Sequence, residues 1–444
     1  MSKIKTGFAR VCITPPLGTP VWGYYEERTT KGVLDDLYST AVAFDDGKNK
    51  AVVISAELLH LTTKHSTVVR KVISEFCNIP FEAIFIACTH THTGPLVAIG
   101  SENESDYDRF LINQLRDVAY YALSDLKDTE FSVNVGEAKN LSFVRRYRMK
   151  DGSVQTNPGV GNPNIKEMLG KPTETVKLIK LERDGADDVY IVSFGTHPDT
   201  VGGELISADW PGFVRSTVEK ALDGVKCLFL NGVQGDVNHI NPNPTEGEKK
   251  GTFIDFDSVP RGYDHAKYMG RAIAGAVLQI CDKTEPIEVG DIKFAGGDIK
   301  IASNQENDRL EEAERIFKLH NEGRDEEIPF TEMELTTVVA EATRIVRLKD
   351  GPEFYDFTLS AISVGDIAFT GFPGEPFVEL GRRIEDASPF KMTVTCCLVN
   401  GGDSYFPTSA AFDEGGYEAR SSYLKRGADD VLVDGALKLL NEVK

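Results

Sequence analysis

One local form recurs along the chain: a short apolar, β-rich run, then a polar or glycine-rich stretch, then helical spacing. KAVVISAELLHL leads into a helix expected at 63–77, and FEAIFIACTHTHTGP is a strand that breaks at Gly94. DVYIVSFGTHPDTVGG, VKCLFLNGVQGDVNHIN, DIAFTGFPGEP and KMTVTCCLVNGGDSY repeat the arrangement. Further helices are expected at 104–126, 210–222, 263–281, 307–321, 376–386 and 427–442. This is an alternating α and β chain, and in such chains the loops at strand ends are where sites are built. No fixed period supports a solenoid or propeller, and no low-complexity linker divides the chain. One compact unit spanning 1–444 is expected.

Charge narrows the partners. A formal charge of −20 without a basic stripe disfavours nucleic acid and anionic membrane surfaces, so a small molecule is the expected partner. The start, MSKIKTGFARVCITPP, has no apolar core of a secretory signal, and no apolar stretch is long enough to cross a bilayer. The seven cysteines include no CxxC pair, and Cys88, Cys227, Cys396 and Cys397 lie in or beside apolar runs. Reduced core cysteines and a cytoplasmic location follow. The most charged stretch, between 302 and 328, reads as a solvated helix and loop.

Only eight histidines occur in 444 residues, yet His90 and His92 stand one residue apart where a strand runs out. In an extended segment they would face one location from neighbouring rungs. Imidazole suits zinc, which needs several convergent N, O or S donors. Alone, the pair is equally explained by hydrogen bonding. Other strand ends supply His197, in THPDT after VYIVSFG, and Glu375, in FPGEP after DIAFTG. Taken singly, His197 also reads as a core or capping residue, and Glu375 as a carboxylate at a helix N-terminus. Their shared position is what singles them out.

CTHTHTGP, THPDT, NGVQGDVN, PGE, and SYFPT with YEA resemble, in order, the motifs of the neutral ceramidase family, over about Thr6 to Arg420. ITPPLGTPVWGY and GVLDDLYSTAVAFDDG look like that family's opening strands. The resemblance implies stacked mixed β-sheets flanked by helices, an α/β (mixed α+β) class. It implies zinc held by His90, His197, Glu375 and Tyr405, with His92, Arg145 and Tyr417 lining the reaction centre. VRR, with Arg146 and Arg148 nearby, stands where the family has Asn-Arg. Zinc lowers the pKa of bound water from roughly 15.7 to 7 and polarises a carbonyl. Arg145 or Tyr417 would then stabilise the developing oxyanion, and His92 would hand a proton to the leaving amine or alcohol.

Two departures shape the expected reaction. The family places a serine after its GDV motif, and here GDVNHIN puts Asn238 there. An amide is no hydroxyl nucleophile, but its NH2 can donate to an oxyanion or hold substrate. Asn238 reads equally as a turn residue. The chain also ends after one last helical pattern, without the C-terminal immunoglobulin-like domain of known ceramidases, and has no apolar segment for engaging a bilayer. A small soluble amide, ester or lactone is therefore expected in place of ceramide, cleaved by metal-activated water without stable membrane association. A non-hydrolytic metal enzyme and a noncatalytic ligand-binding protein are the alternatives, and homo-oligomer formation stays open. His60, His65 and His320 are read as surface or core residues, and His239 as a candidate substrate contact. Asp199 and Asp209 are read as groups orienting a ligand histidine, with helix capping an equal reading of Asp209.

Overall fold

Side-chain alternation along eight long strands decides the layering. In the computed structural model, which describes residues 4–24, 26–305, 308–402 and 404–444, these are β1 (Lys5–Cys12), β2 (Tyr38–Asp45), β3 (Lys50–Ala56), β4 (Ile84–Cys88), β5 (Lys127–Glu137), β6 (Thr175–Arg183), β7 (Asp188–Phe194) and β8 (Val225–Asn231). From edge to edge the sheet runs β8, β7, β6, β5, β1, β2, β3, β4, with Glu285–Pro286 added against β5. Neighbours are antiparallel except at the two edges, where β3 pairs with β4, and β7 with β8, in parallel. A second sheet of β9 (Ile292–Ala302), β10 (Phe354–Val364), β11 (Ile367–Gly371) and β12 (Met392–Cys396) also ends in a parallel pair, β11 with β12.

The helices are α1 (Thr63–Cys77), α2 (Asp106–Ser124), α3 (Asp209–Ala221), α4 (Tyr263–Ile280), α5 (Leu310–Asn321), α6 (Glu332–Leu348), α7 (Val378–Ala387), α8 (Ser409–Glu414), α9 (Tyr417–Ser421) and α10 (Ala428–Glu442). On β3, Val52 and Ile54 pack with Leu111 and Val118 of α2, while Val53 turns to the opposite face and meets Phe369 and Ile362 of the second sheet. On β7, Val192 and Phe194 face Trp210 and Ile273 of α3 and α4, and Ile191 faces the second sheet. Leu359 and Ala368, on the far face of that sheet, pack with Leu380 of α7 and Leu432 of α10. The result is a helix, sheet, sheet, helix sandwich, as the expected fold class requires. Each large side chain buried between the sheets contributes about 1.5–3 kcal/mol, and a one-residue register slip would turn a whole row of them away.

Antiparallel bridges Ala87↔Val399 and Gly232↔Cys396 tie the ends of β4 and β8 to β12 and the segment after it. The C-terminal ends of the parallel pairs are thereby brought to one side of the molecule. Expected helices match the observed ones within a few residues, although Asn307, where one was expected to begin, lies outside the described residues. Helix α6 was not expected. Its Val338, Ala342 and Ile345 pack on Ala313, Ile316 and Leu319 of α5, so the charged stretch is a solvated helix on one face only. ITPPLGTPVWGY is mostly loop, contrary to the expected strand, and pairs only through Pro20–Val21. Cys88, Cys227, Cys396 and Cys397 are buried and unpaired.

Candidate metal centre

The strand carrying the HTH sequence stops at Cys88, and His90 takes φ 77, a left-handed conformation rare for residues other than glycine. Convergence of His90 and His92 therefore comes from a turn and not from strand alternation. The turn is held by His90 N–H donating to Leu58 O (2.8 Å) and by His90 Nδ1 against Leu59 O (2.9 Å). Gly23 presses on the same loop at φ 127, and a Cβ there would sit 2.9 Å from the His92 backbone. His197 follows β7, with its N–H on Val237 O (3.3 Å). Glu375 follows β11 and pairs in parallel register with Tyr405, which follows β12.

These loops bring the donors together. His90 Nε2 lies 3.2 Å from both His197 Nε2 and His92 Nε2, and Glu375 Oε2 lies 3.3 Å from the Nε2 atoms of His90 and His197. The Nδ1 atoms of His90 and His197 face backbone carbonyls, Leu59 O and Gln234 O (3.2 Å), which can only accept. When neutral, each ring carries its proton on Nδ1 and turns an Nε2 lone pair toward the other and toward a carboxylate. Burial, then the charge of Arg145, pushes His197 down to about 3, so that ring stays neutral near pH 7. Burial, with His90 and His197 next, likewise holds His92 well below its ordinary value. Burial alone would raise Glu375, but His90, His197 and Arg145 outweigh it and keep the carboxylate ionised. The spacings match the edge of about 3.3–3.4 Å expected for a tetrahedron with 2.0–2.1 Å zinc arms. By its chemistry this donor set fits a divalent cation.

Arg145, Tyr405 and Tyr417 line the same small cavity, of about 60 Å³, as His92 and His197. Arg145 Nε donates to Glu418 Oε1 (2.6 Å), and its Nη2 donates to Gly235 O (2.8 Å) and the Tyr405 hydroxyl (3.2 Å). Burial opposes the Arg145 charge, but Tyr405, Glu418 and Glu375 outweigh it. Burial, then Glu375, pushes the Tyr405 phenol well above its ordinary value, a direction that a bound cation would reverse. The Tyr417 ring stands against Tyr405, centroids 5.6 Å apart. Arg146 and Arg148 point elsewhere, to Glu414.

Asn238 is fully buried, and its side chain is engaged by Asn157 and the Ile240 N–H. It does not line the cavity; Asn157 does. Asp199 also lines the cavity but binds His239 Nδ1 (3.0 Å), and Asp209 accepts from Val201 N and Trp210 N. Backbone carbonyls, not these aspartates, therefore hold the Nδ1 atoms of His90 and His197. His239 lines a separate, more apolar cavity of about 300 Å³ instead of the cavity beside His92 and His197. His60 packs at a tilt against Trp22 (centroids 4.6 Å apart), His65 caps α1, and His320 pairs with Asp325 (2.9 Å). Sequence reasoning missed Tyr24 and Asn157 on the cavity wall, and it passed over Gln234 and Glu418 although both lie in quoted motifs.

No protein-family profile and no characterised protein sequence matches the chain. Solved structures do match it in fold. A neutral ceramidase from Pseudomonas aeruginosa aligns with TM-score 0.72 at 16% identity, covering 100% of this chain and 75% of that one. A ceramidase complexed with C2 aligns with TM-score 0.72 at 15% identity, covering 100% and 76%. The α/β sandwich described above is thus the fold of the bacterial neutral ceramidases.

Proposed function

We propose that residues 1–444 form one catalytic domain, a zinc-dependent hydrolase that cleaves the amide, ester or lactone bond of a small soluble substrate. The observation that carries this reading is the meeting of two imidazole Nε2 atoms and a carboxylate oxygen at 3.2–3.3 Å, with both Nδ1 atoms turned to backbone carbonyls, a donor set that a divalent cation would complete. His90, His197, Glu375 and Tyr405 are its holders. When bound, such a cation supplies Lewis acidity and makes water a nucleophile at neutral pH.

The remaining groups divide the proton and charge work. Arg145, anchored by Glu418, offers its charge to the oxygen on which negative charge develops, and Tyr417 offers a phenol O–H to the same region. His92 gives or takes a proton at Nε2. A cavity of about 60 Å³ supports a compact substrate over the ceramide for which the solved neighbours are named. Buried unpaired cysteines support a reducing compartment, the cytoplasm. Among the described residues no helix is long and apolar enough to cross a membrane.

Metal analysis of the purified protein and turnover of N-acyl, O-acyl and lactone compounds in 18O-labelled water test the proposal. Near-stoichiometric zinc and solvent oxygen in the acid product are expected. Only a trace of transition metal, or a product without label, refutes it.

A further inference from the structure

From the hydrogen-bond pattern behind the cavity wall we infer that Asn157 is a substrate-contacting amide donor and that Asn238 is the residue that aims it. The inference rests on the hydrolase reading above. Its starting point is the Ile240 backbone N–H, which can only donate and lies 3.1 Å from the Asn238 side chain. The Asn238 atom it meets is therefore the carbonyl oxygen, and the other end of that amide is NH2. This NH2 lies 3.0 Å from the Asn157 side chain, so the Asn157 atom it meets must be Oδ1. The Asn157 NH2 is left without a protein hydrogen bond among the described residues, on a side chain that lines the cavity with Arg145, Tyr405 and Tyr417. Asn238 itself is 0% exposed and off that wall.

The backbone supports the same assignment. Asn157 sits at φ 47, immediately before Pro158, and its N–H donates to Arg145 O at 2.8 Å. A left-handed residue before proline is uncommon, and such outliers persist where surrounding contacts hold them in place. Asn238 occupies the place of the family serine, yet its structural position makes it a relay between Ile240 and Asn157. Two N–H bonds are thereby presented to an acceptor oxygen of the substrate, beside the guanidinium that faces the same space.

Two isosteric variants test this. Asn157→Asp keeps the acceptor for Asn238 and removes the donors. Asn238→Asp still accepts from Ile240 but has no donor left, so Asn157 must flip and turn its carbonyl oxygen to the cavity. With p-nitrophenyl acetate as probe, each variant is expected to lower kcat/KM by roughly 10²-fold, the cost of removing one oxyanion donor, mostly in kcat. Zinc content and Tm should stay at wild-type levels. Both variants within about twofold of wild type in kcat/KM would overturn the inference. If the wild type holds no zinc or turns nothing over, the hydrolase reading fails separately, and acetate titrated into 15N-asparagine-labelled protein still reads the contact. The side-chain NH2 signal lost in Asn157→Asp should then move with acetate in the wild type and not in Asn238→Asp, and a stationary wild-type signal would overturn the inference.

Discussion

Two buried clusters each set histidine beside a carboxylate at similar distance, and they are chemically opposite. At His239, Nδ1 meets Asp199 Oδ1 (3.0 Å) and Nε2 meets Pro260 O (2.7 Å), both pure acceptors. The ring carries two protons and a charge that Asp199 neutralises; burial alone would lower its pKa, but the bond to Asp199 and that residue's charge outweigh it and raise it. At His197 the Nδ1 proton is spent on Gln234 O, and a lone pair is left facing Glu375 and His90. The first cluster is complete within the protein. The second, in the proposed hydrolase, is completed by a cation. Nearness of imidazole and carboxylate is therefore no guide to a metal site; where the ring's proton goes is.

The widest separation between the clusters should appear in metal content. His197→Ala is expected to reduce zinc to a trace after dialysis, a larger loss than the ~10–100-fold in affinity that follows removal of an outer hydrogen-bond partner. His239→Ala should retain it. Metal analysis of both variants decides the matter, and retention by His197→Ala with loss by His239→Ala would invert the contrast.

Stability separates them next. His239→Ala leaves Asp199 buried without its partner, a change that costs about 3–5 kcal/mol in comparable pairs. Because the folded-state value of His239 is raised, the pair stabilises fully below the unfolded value of about 6.5 and progressively less as pH rises through the folded value. Urea unfolding should therefore show the largest gap between wild type and variant near about pH 6, shrinking toward alkaline pH. A gap that widens as pH rises would mean the ring is neutral when folded.

The strands and their ends were legible because β3, β4, β7, β8, β11 and β12 are apolar on alternate or on both faces and then stop at polar residues. His90, His197 and Glu375 could be picked out by that punctuation. The reason given for His90 and His92 was wrong even so, since φ 77 at His90, not a pleat, turns the two rings together. Helix α6 escaped notice because TTVV within it carries β-branched residues that favour strands, and only packing on α5 commits them to a helix. Asn157 and Glu418 went unrecognised for another reason. Their roles are hydrogen bonds to Asn238 and Arg145, 81 and 273 residues away, and no local pattern records such a partner.

The subtlest contrast concerns Gln234, which serves the open cluster twice. Its backbone carbonyl takes the His197 Nδ1 proton (3.2 Å), and its side-chain Nε2 donates to Glu375 Oε2 (3.3 Å). Gln234→Met keeps the carbonyl and the side-chain length and removes only the second bond. Its Oε1 is buried with no hydrogen-bond partner among the described residues, so losing that acceptor costs the fold little. Chelator competition should then show zinc affinity falling by about 10–100-fold, while Tm of the metal-free protein hardly moves. Unchanged affinity would mean that the Glu375↔Tyr405 strand pairing alone aims the carboxylate.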